Sequence, residues 1–153
     1  MKNYDEANLN AILPKNGISI VADKSKYGID WAIFPPLVSP LEGGKLPAKR
    51  AIKKCQQLEN LALSVIHLVE SRSTADAITI VDFCSGGGHL GILLAYLLPQ
   101  SIIYLVENKP ESLERAINRV QLLQLKNCRF FQGNVLSNIV KRYHLLKNKV
   151  VSL

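Results

Sequence analysis

The chain of 153 residues has no long apolar run. Its longest, Leu90 to Leu98, is interrupted by Gly91 and stopped by Pro99. A membrane-spanning helix needs about 20 apolar residues, so no span is expected. The first residues, Met1-Lys2-Asn3-Tyr4-Asp5-Glu6, are polar and lack the charged-then-apolar order of a secretory signal. Cysteine is scarce: Cys55, Cys84 and Cys128 are widely spaced and odd in number, which gives neither a disulfide framework nor a zinc-binding pattern. They read as reduced, mostly buried thiols of a cytoplasmic protein that holds no metal. There is no internal repeat and no low-complexity tract. With 48% hydrophobic and 20% charged residues, the chain can build one packed core and is not expected to be globally disordered.

Acidic residues are also in short supply. Twelve Asp and Glu face 19 Lys and Arg, a formal charge of +7. Glu114 is the last acid, and beyond it stand Arg115, Arg119, Lys126, Arg129, Lys141, Arg142, Lys147 and Lys149. Lys49, Arg50, Lys53 and Lys54 form a second cluster. Such faces attract nucleic acid or acidic proteins; a plain solvated face is the competing reading.

The pattern along the chain divides it into three. Residues 1–45 read as an extended lead-in, with Ile18 to Ala22 as a short strand. Between Trp31 and Pro40, three prolines rule out a helix, and the segment is expected to be extended and to pack its aromatics. Residues 46–136 begin with a helix near Pro47, where Ala51, Cys55, Leu58, Ala62, Val65 and Val69 recur every three or four positions. Its first turns carry the basic cluster, although a helix start favours acids. Ile78 to Phe83 and Ile102 to Val106 are continuous apolar runs of the kind found in buried parallel strands. Each is followed by a helical stretch, His89 to Leu98 and Pro110 to Leu125, the second with Asn108 placed to cap it and Leu113, Ile117, Val120 and Leu123 inward. Arg129 to Gln132 starts a third strand. Alternating strand and helix with short connections predicts an α/β fold with a parallel sheet and right-handed crossovers. Residues 137–153 read as a basic tail.

The first strand runs into Asp82-Phe83-Cys84-Ser85-Gly86-Gly87-Gly88-His89-Leu90-Gly91. Gly86, Gly88 and Gly91 fit G-x-G-x-x-G, a weak pattern alone. Here it follows a buried strand, opens a helix, and has an acid, Glu107, twenty-one residues after Gly86 at the end of the next strand. Glycines let the chain turn and let a ligand approach the backbone. The helix start presents unpaired N–H groups. A carboxylate at Glu107 is placed to accept both ribose hydroxyls of an adenosine. Asp82, at the mouth of the loop, is unwelcome beside a pyrophosphate and suited to a ligand bearing an amino group and a sulfonium. S-Adenosylmethionine is therefore the expected cofactor, and a nicotinamide or flavin dinucleotide is the alternative.

These residues resemble the class I methyltransferases. Asp82 to Gly88 lines up with their D-x-G-x-G-x-G first motif, Glu107 with the acid ending their second strand, and Asn134, after Phe130-Phe131-Gln132-Gly133, with the polar residue that meets the adenine. More narrowly, Val81 to His89, Leu105-Val106-Glu107-Asn108-Lys109 and Lys54-Cys55-Gln56-Gln57-Leu58-Glu59-Asn60-Leu61 resemble the methyltransferase domain of the glutathione S-transferase C-terminal domain-containing proteins. The likeness covers about residues 30–134. It implies a Rossmann-like sheet and a cofactor site made of Asp82, Cys84, Ser85, Gly86, Gly87, Gly88, Glu107, Asn108 and Asn134. It names no methyl acceptor and no catalytic side chain. Cys84 stands where the family has its first glycine, so an ordinary φ is expected there, with the thiol as a compact group under the cofactor. His89 reads as a polar helix-start residue.

The family's sheet has about seven strands, and only three are recognisable here. Val150-Val151-Ser152-Leu153 is too short to count as the fourth, which leaves the first strand with an unpaired apolar edge. The chain is therefore expected to be incomplete at its C-terminal side, a piece of a larger methyltransferase. Two other readings remain: a fragment of a dinucleotide-dependent oxidoreductase, and a non-catalytic module that binds RNA or protein through its basic faces.

Overall fold

The computed structural model describes residues 29–72 and 77–133 and the backbone of 150–152. Asn134, the proposed strand at Ile18 to Ala22, and the basic residues Lys141, Arg142, Lys147 and Lys149 lie outside them.

Helix α1 (Ala48–Glu70) buries Ala51, Leu58, Ala62 and Val65, the stripe that its periodicity marks. Then follow β1 (Thr79–Phe83), α2 (His89–Leu97), β2 (Ile102–Glu107), α3 (Pro110–Leu122) and β3 (Cys128–Gln132). A short strand, β4 (Val150–Ser152), completes a four-stranded sheet of order β3-β2-β1-β4. Every pairing is parallel. The steps from β1 to β2 to β3 run the same way across the sheet, so right-handed crossovers put α2 and α3 on one face. Ile80, Ile103 and Cys128 form one row of that face and meet Leu58, Ala62 and Val65 of α1, Ile92 to Ala95 of α2, and Ala116 and Val120 of α3 in the core.

The structure corrects three expectations. The far edge of β1 is paired: Thr79, Ile80 and Val81 lie opposite Val150, Val151 and Ser152. Three residues carry too little periodicity to announce a strand, and only the open edge of β1 gives them a partner. The segment expected to be extended between Trp31 and Pro40 forms two tight 3-10 turns, Trp31–Ile33 and Pro36–Val38. The φ that proline imposes suits such turns, and Asp30 caps the first by accepting the Ala32 N–H at 3.0 Å. The strap packs its aromatics, as expected. Phe34, Val38 and Pro40 are buried, Trp31 donates to Glu59 of α1 at 2.6 Å, and Phe34 meets Tyr96 of α2 edge-on at 5.5 Å. Finally, Asn108 does not cap α3. Lys109 takes the cap position, Pro110 needs no N–H partner, and the nearby amides are served by Glu107.

At the far end of the sheet, the Asn127 side chain donates to the carbonyls of Ala95, Leu98 and Ser101 at 3.0, 3.3 and 3.1 Å. It locks the turn after α2 to the turn before β3, and leaves the C-terminal ends of the strands to form the opposite rim.

Candidate functional site

That rim is where ligands bind in open parallel sheets. It begins at the end of β1. Cys84 has φ +58°, which corrects the expectation of an ordinary backbone there. The chain must reverse from strand into helix at this point, and the exposed thiol lets a Cβ be tolerated. Ser85 donates its N–H to Val106 O at 3.0 Å, and Gly88 donates to Ser85 O at 2.9 Å, closing the turn.

The glycines divide into two kinds. Gly88, at φ +77°, has no room for a side chain: a Cβ would lie 2.8 Å from Leu105 Cδ2 and 2.9 Å from Ala116 Cβ. Gly91 is held equally close, 2.9 Å from Leu105 Cγ. These two let α2 sit tightly on β2. Gly86 and Gly87 have no described residue within 4 Å of where a Cβ would stand. Their outer side is bare backbone facing open space.

Two carboxylates serve this loop. Glu107 closes β2 and is 7% exposed. Its Oε2 accepts the Gly86 N–H at 2.8 Å, and its Oε1 accepts those of Asn108 and Lys109, both at 2.9 Å. Burial works to raise its pKa, but the amides of Lys109, Gly86 and Asn108 and the Lys109 ammonium outweigh burial and hold it below the usual value. Asp82 is turned the other way: its Oδ2 accepts the Gly91 N–H at 3.0 Å. Gly88 at the N-cap of α2 has no side chain to offer, so a carboxylate from the strand does the capping. Burial dominates its titration. It pushes the pKa up to about 6, with Glu107 adding to the rise, against the Gly91 amide and the Lys54 ammonium. Asp82 is 6% exposed.

Three basic residues share the rim. Lys54 of α1 is half-buried, donates to Gln57 Oε1 at 3.0 Å, and lies close enough to favour the ionised form of Asp82. His89 is kept neutral, its pKa lowered to about 4 first by burial, then by the Arg119 guanidinium and by Lys54. Arg119 went unremarked in the sequence beyond its charge, yet it is buried at the centre of this region. No local signal marks it, because its partners lie 30 to 82 residues away. The Ser85 hydroxyl is buried with no hydrogen-bond partner among the described residues. Among the described residues, no group of His, Cys, Asp or Glu converges as metal ligands would, and no helix is long and apolar enough to cross a membrane.

The structure thus brings together Asp82, Cys84, Ser85, Gly86, Gly87, Gly88, Glu107 and Asn108; Asn134 lies outside the described residues. The arrangement has the means to hold and orient a ligand.

The sequence is 47% identical over 109 residues to the glutathione S-transferase C-terminal domain-containing protein of Xenopus laevis, a match spanning 71% of this chain and 17% of that protein. The human counterpart is 46% identical, covering 71% and 16%, and the homolog of Drosophila melanogaster 45% identical, covering 70% and 17%. The chain thus spans about one-sixth of the length of these relatives. Among solved structures, a precorrin-6y C5,15-methyltransferase from Geobacter metallireducens overlaps 44% of this chain and 36% of its own, at 16% identity and a TM-score of 0.40. A coclaurine N-methyltransferase bound to N-methylheliamine and SAH overlaps 50% and 23%, at 17% identity and a TM-score of 0.39. A family described as a methyltransferase domain matches residues 53–151, from the middle of the basic cluster on α1 into β4. That match covers most of the chain and all of the rim described above, and the chain belongs to this methyltransferase-domain family.

Proposed function

We propose that this domain binds S-adenosylmethionine on the outer side of the glycine loop and serves methyl transfer. The observation that carries the reading is the bare backbone of Gly86 and Gly87 beside the Glu107 carboxylate, with the Ser85 hydroxyl buried and unpartnered in the same turn. When bound, S-adenosylmethionine supplies a methyl group already activated on a sulfonium, so the protein's task is to bind and orient it. Three backbone amides use the Glu107 carboxylate, and its Oε2 has one acceptor position left for a ribose hydroxyl. Gly86 and Gly87 form the wall against which the ligand lies, Gly88 packs behind them, and Cys84, Ser85 and Asn108 stand around it. Asp82 supplies negative potential for the amino group and sulfonium, and a cation beside it favours its ionised form. Asn134 is assigned to the adenine by family resemblance alone.

The dinucleotide reading fits less well. A pyrophosphate would need the loop amides, and the Gly86 N–H is already given to a carboxylate. Titration of the purified chain with S-adenosylhomocysteine, S-adenosylmethionine and NAD by calorimetry separates the two. Binding of NAD alone would overturn the proposal.

One observation favours an anionic partner in addition. Lys49, Arg50 and Lys53 are exposed on the first turns of α1, where no acid accompanies them. If the methyl acceptor or a docking partner is RNA or an acidic protein, this face is its landing site, and binding falls steeply with salt. The unpaired thiols Cys55, Cys84 and Cys128 suit a reducing, cytoplasmic setting.

A further inference from the structure

Arg119 is 5% exposed, and no carboxylate lies within ion-pair distance of it among the described residues. A buried guanidinium without a counter-ion must be satisfied by neutral acceptors. Its Nε and Nη2 both donate to Leu37 O, at 3.1 and 2.7 Å, and Nη2 also reaches Val38 O at 3.3 Å. On the other side, Nη1 donates to Gly87 O at 2.8 Å and lies 3.4 Å from His89 Nδ1. One side chain from α3 therefore grips two backbone segments far apart in sequence: the strap of residues 30–44 and the glycine loop.

The strap is shaped to receive this grip. Its own turns are closed by Val38 N–H to Pro35 O and by Gly43 and Gly44 N–H to Ser39 O, which leaves Leu37 O to the guanidinium. A side chain at Gly43 would run into Leu37 O and Arg119, and one at Gly44 into the His89 ring. The strap backbone is thus packed against Arg119 and His89 with no slack. Burial lowers the pKa of Arg119 only to about 10, so the charge is retained and the grip holds at neutral pH.

We propose that Arg119 is a positioning residue that couples the strap to the glycine loop, so that a docked strap sets the loop for its ligand and an occupied loop steadies the strap. The second half rests on the reading of the loop as the S-adenosylmethionine site; the first half does not. By linkage, the two effects must be reciprocal.

The test uses the full 153-residue chain and two readouts, amide hydrogen exchange without ligand and calorimetric affinity for S-adenosylhomocysteine. Arg119→Lys keeps the charge and loses the fork. Gly43→Ala disturbs the grip from the strap side and touches nothing in the loop. Asn127→Ala is the control: it removes a comparable side-chain clamp at the opposite end of the sheet. Exchange at Ser85 to Gly88 should accelerate at least tenfold in both Arg119→Lys and Gly43→Ala, with affinity weakened by a similar factor. Asn127→Ala should lower the melting temperature and leave both readouts unchanged. Saturating ligand should slow exchange at Val38, Ser39 and Gly43 in the wild type. If loop exchange in the two grip variants matches that of the Asn127→Ala control, the coupling is wrong. If Arg119→Lys does not fold, Gly43→Ala decides alone. If the wild type binds no ligand, the cofactor reading fails, and the exchange comparison still decides the coupling.

Discussion

Adjacent glycines in one loop should respond oppositely to the same added methyl group. At Gly88 an alanine would be held at φ +77°, a conformation costing an L-residue about 1–2 kcal/mol. Its Cβ would also stand 2.8 Å from Leu105 Cδ2 and 2.9 Å from Ala116 Cβ, the second a short side chain that cannot swing away. Overpacking of this kind costs about 1–3 kcal/mol. Together Gly88→Ala should lose about 2–5 kcal/mol, a fall of roughly 10 °C in melting temperature for a domain of this size. Gly87 has no positive φ, and no described residue lies within 4 Å of the new atom. There an alanine restricts the unfolded chain and should stabilise the protein by about 0.4–1 kcal/mol. The same methyl group projects into the space assigned to the ligand and should weaken S-adenosylhomocysteine binding at least tenfold, about 1.4 kcal/mol. Circular-dichroism melts and calorimetric titrations on the two variants read both quantities. A Gly88→Ala variant that melts like the wild type would refute the packing argument. A Gly87→Ala variant that binds like the wild type would refute the assignment of the open side to the ligand.

Glu107→Ala should abolish measurable cofactor affinity, and it should also destabilise the fold by leaving the amides of Gly86, Asn108 and Lys109 without their acceptor; unchanged affinity would remove Glu107 from the site. Because the folded pKa of Glu107 is lowered, its contribution to stability is present above its ordinary value and is lost as pH falls through the lowered one. The acid limb of the wild-type stability profile should therefore flatten in Glu107→Gln. Asp82 has the opposite sign: its pKa is raised to about 6, so its contribution is full below 3.8 and is lost as pH rises through 6. Asp82→Asn keeps an oxygen for the Gly91 N–H, and its stability relative to wild type should climb between pH 4 and 7 by about 3 kcal/mol. A difference independent of pH would contradict the burial of that charge. Cys84→Gly relieves a positive φ, and the strain removed, about 1–2 kcal/mol, outweighs the added freedom of the unfolded glycine, so its melting temperature should rise.

Elements that announce themselves within a few turns of chain were legible in advance. The stripe on α1, the apolar runs of β1 and β2, and the glycine turn after Asp82 are written in residues a few positions apart, and Glu107 was placed by the spacing between two neighbouring strands. What the local pattern missed depends on partners distant in sequence. The strand at Val150–Ser152 exists because β1 offers an unpaired edge. The left-handed turn at Cys84 is imposed by the closing bonds to Val106 and within the loop. Which glycines serve packing and which face open space was invisible until Leu105 and Ala116 were folded against Gly88. Arg119 is the furthest case: as sequence it is one more basic residue past the last acid, and only folding brings it to Leu37 and Gly87, 82 and 32 positions away. Periodicity and motif spacing thus determined the layers and the loop. The burial of Arg119 between two backbone segments, which no local pattern encodes, decided what holds the loop in place.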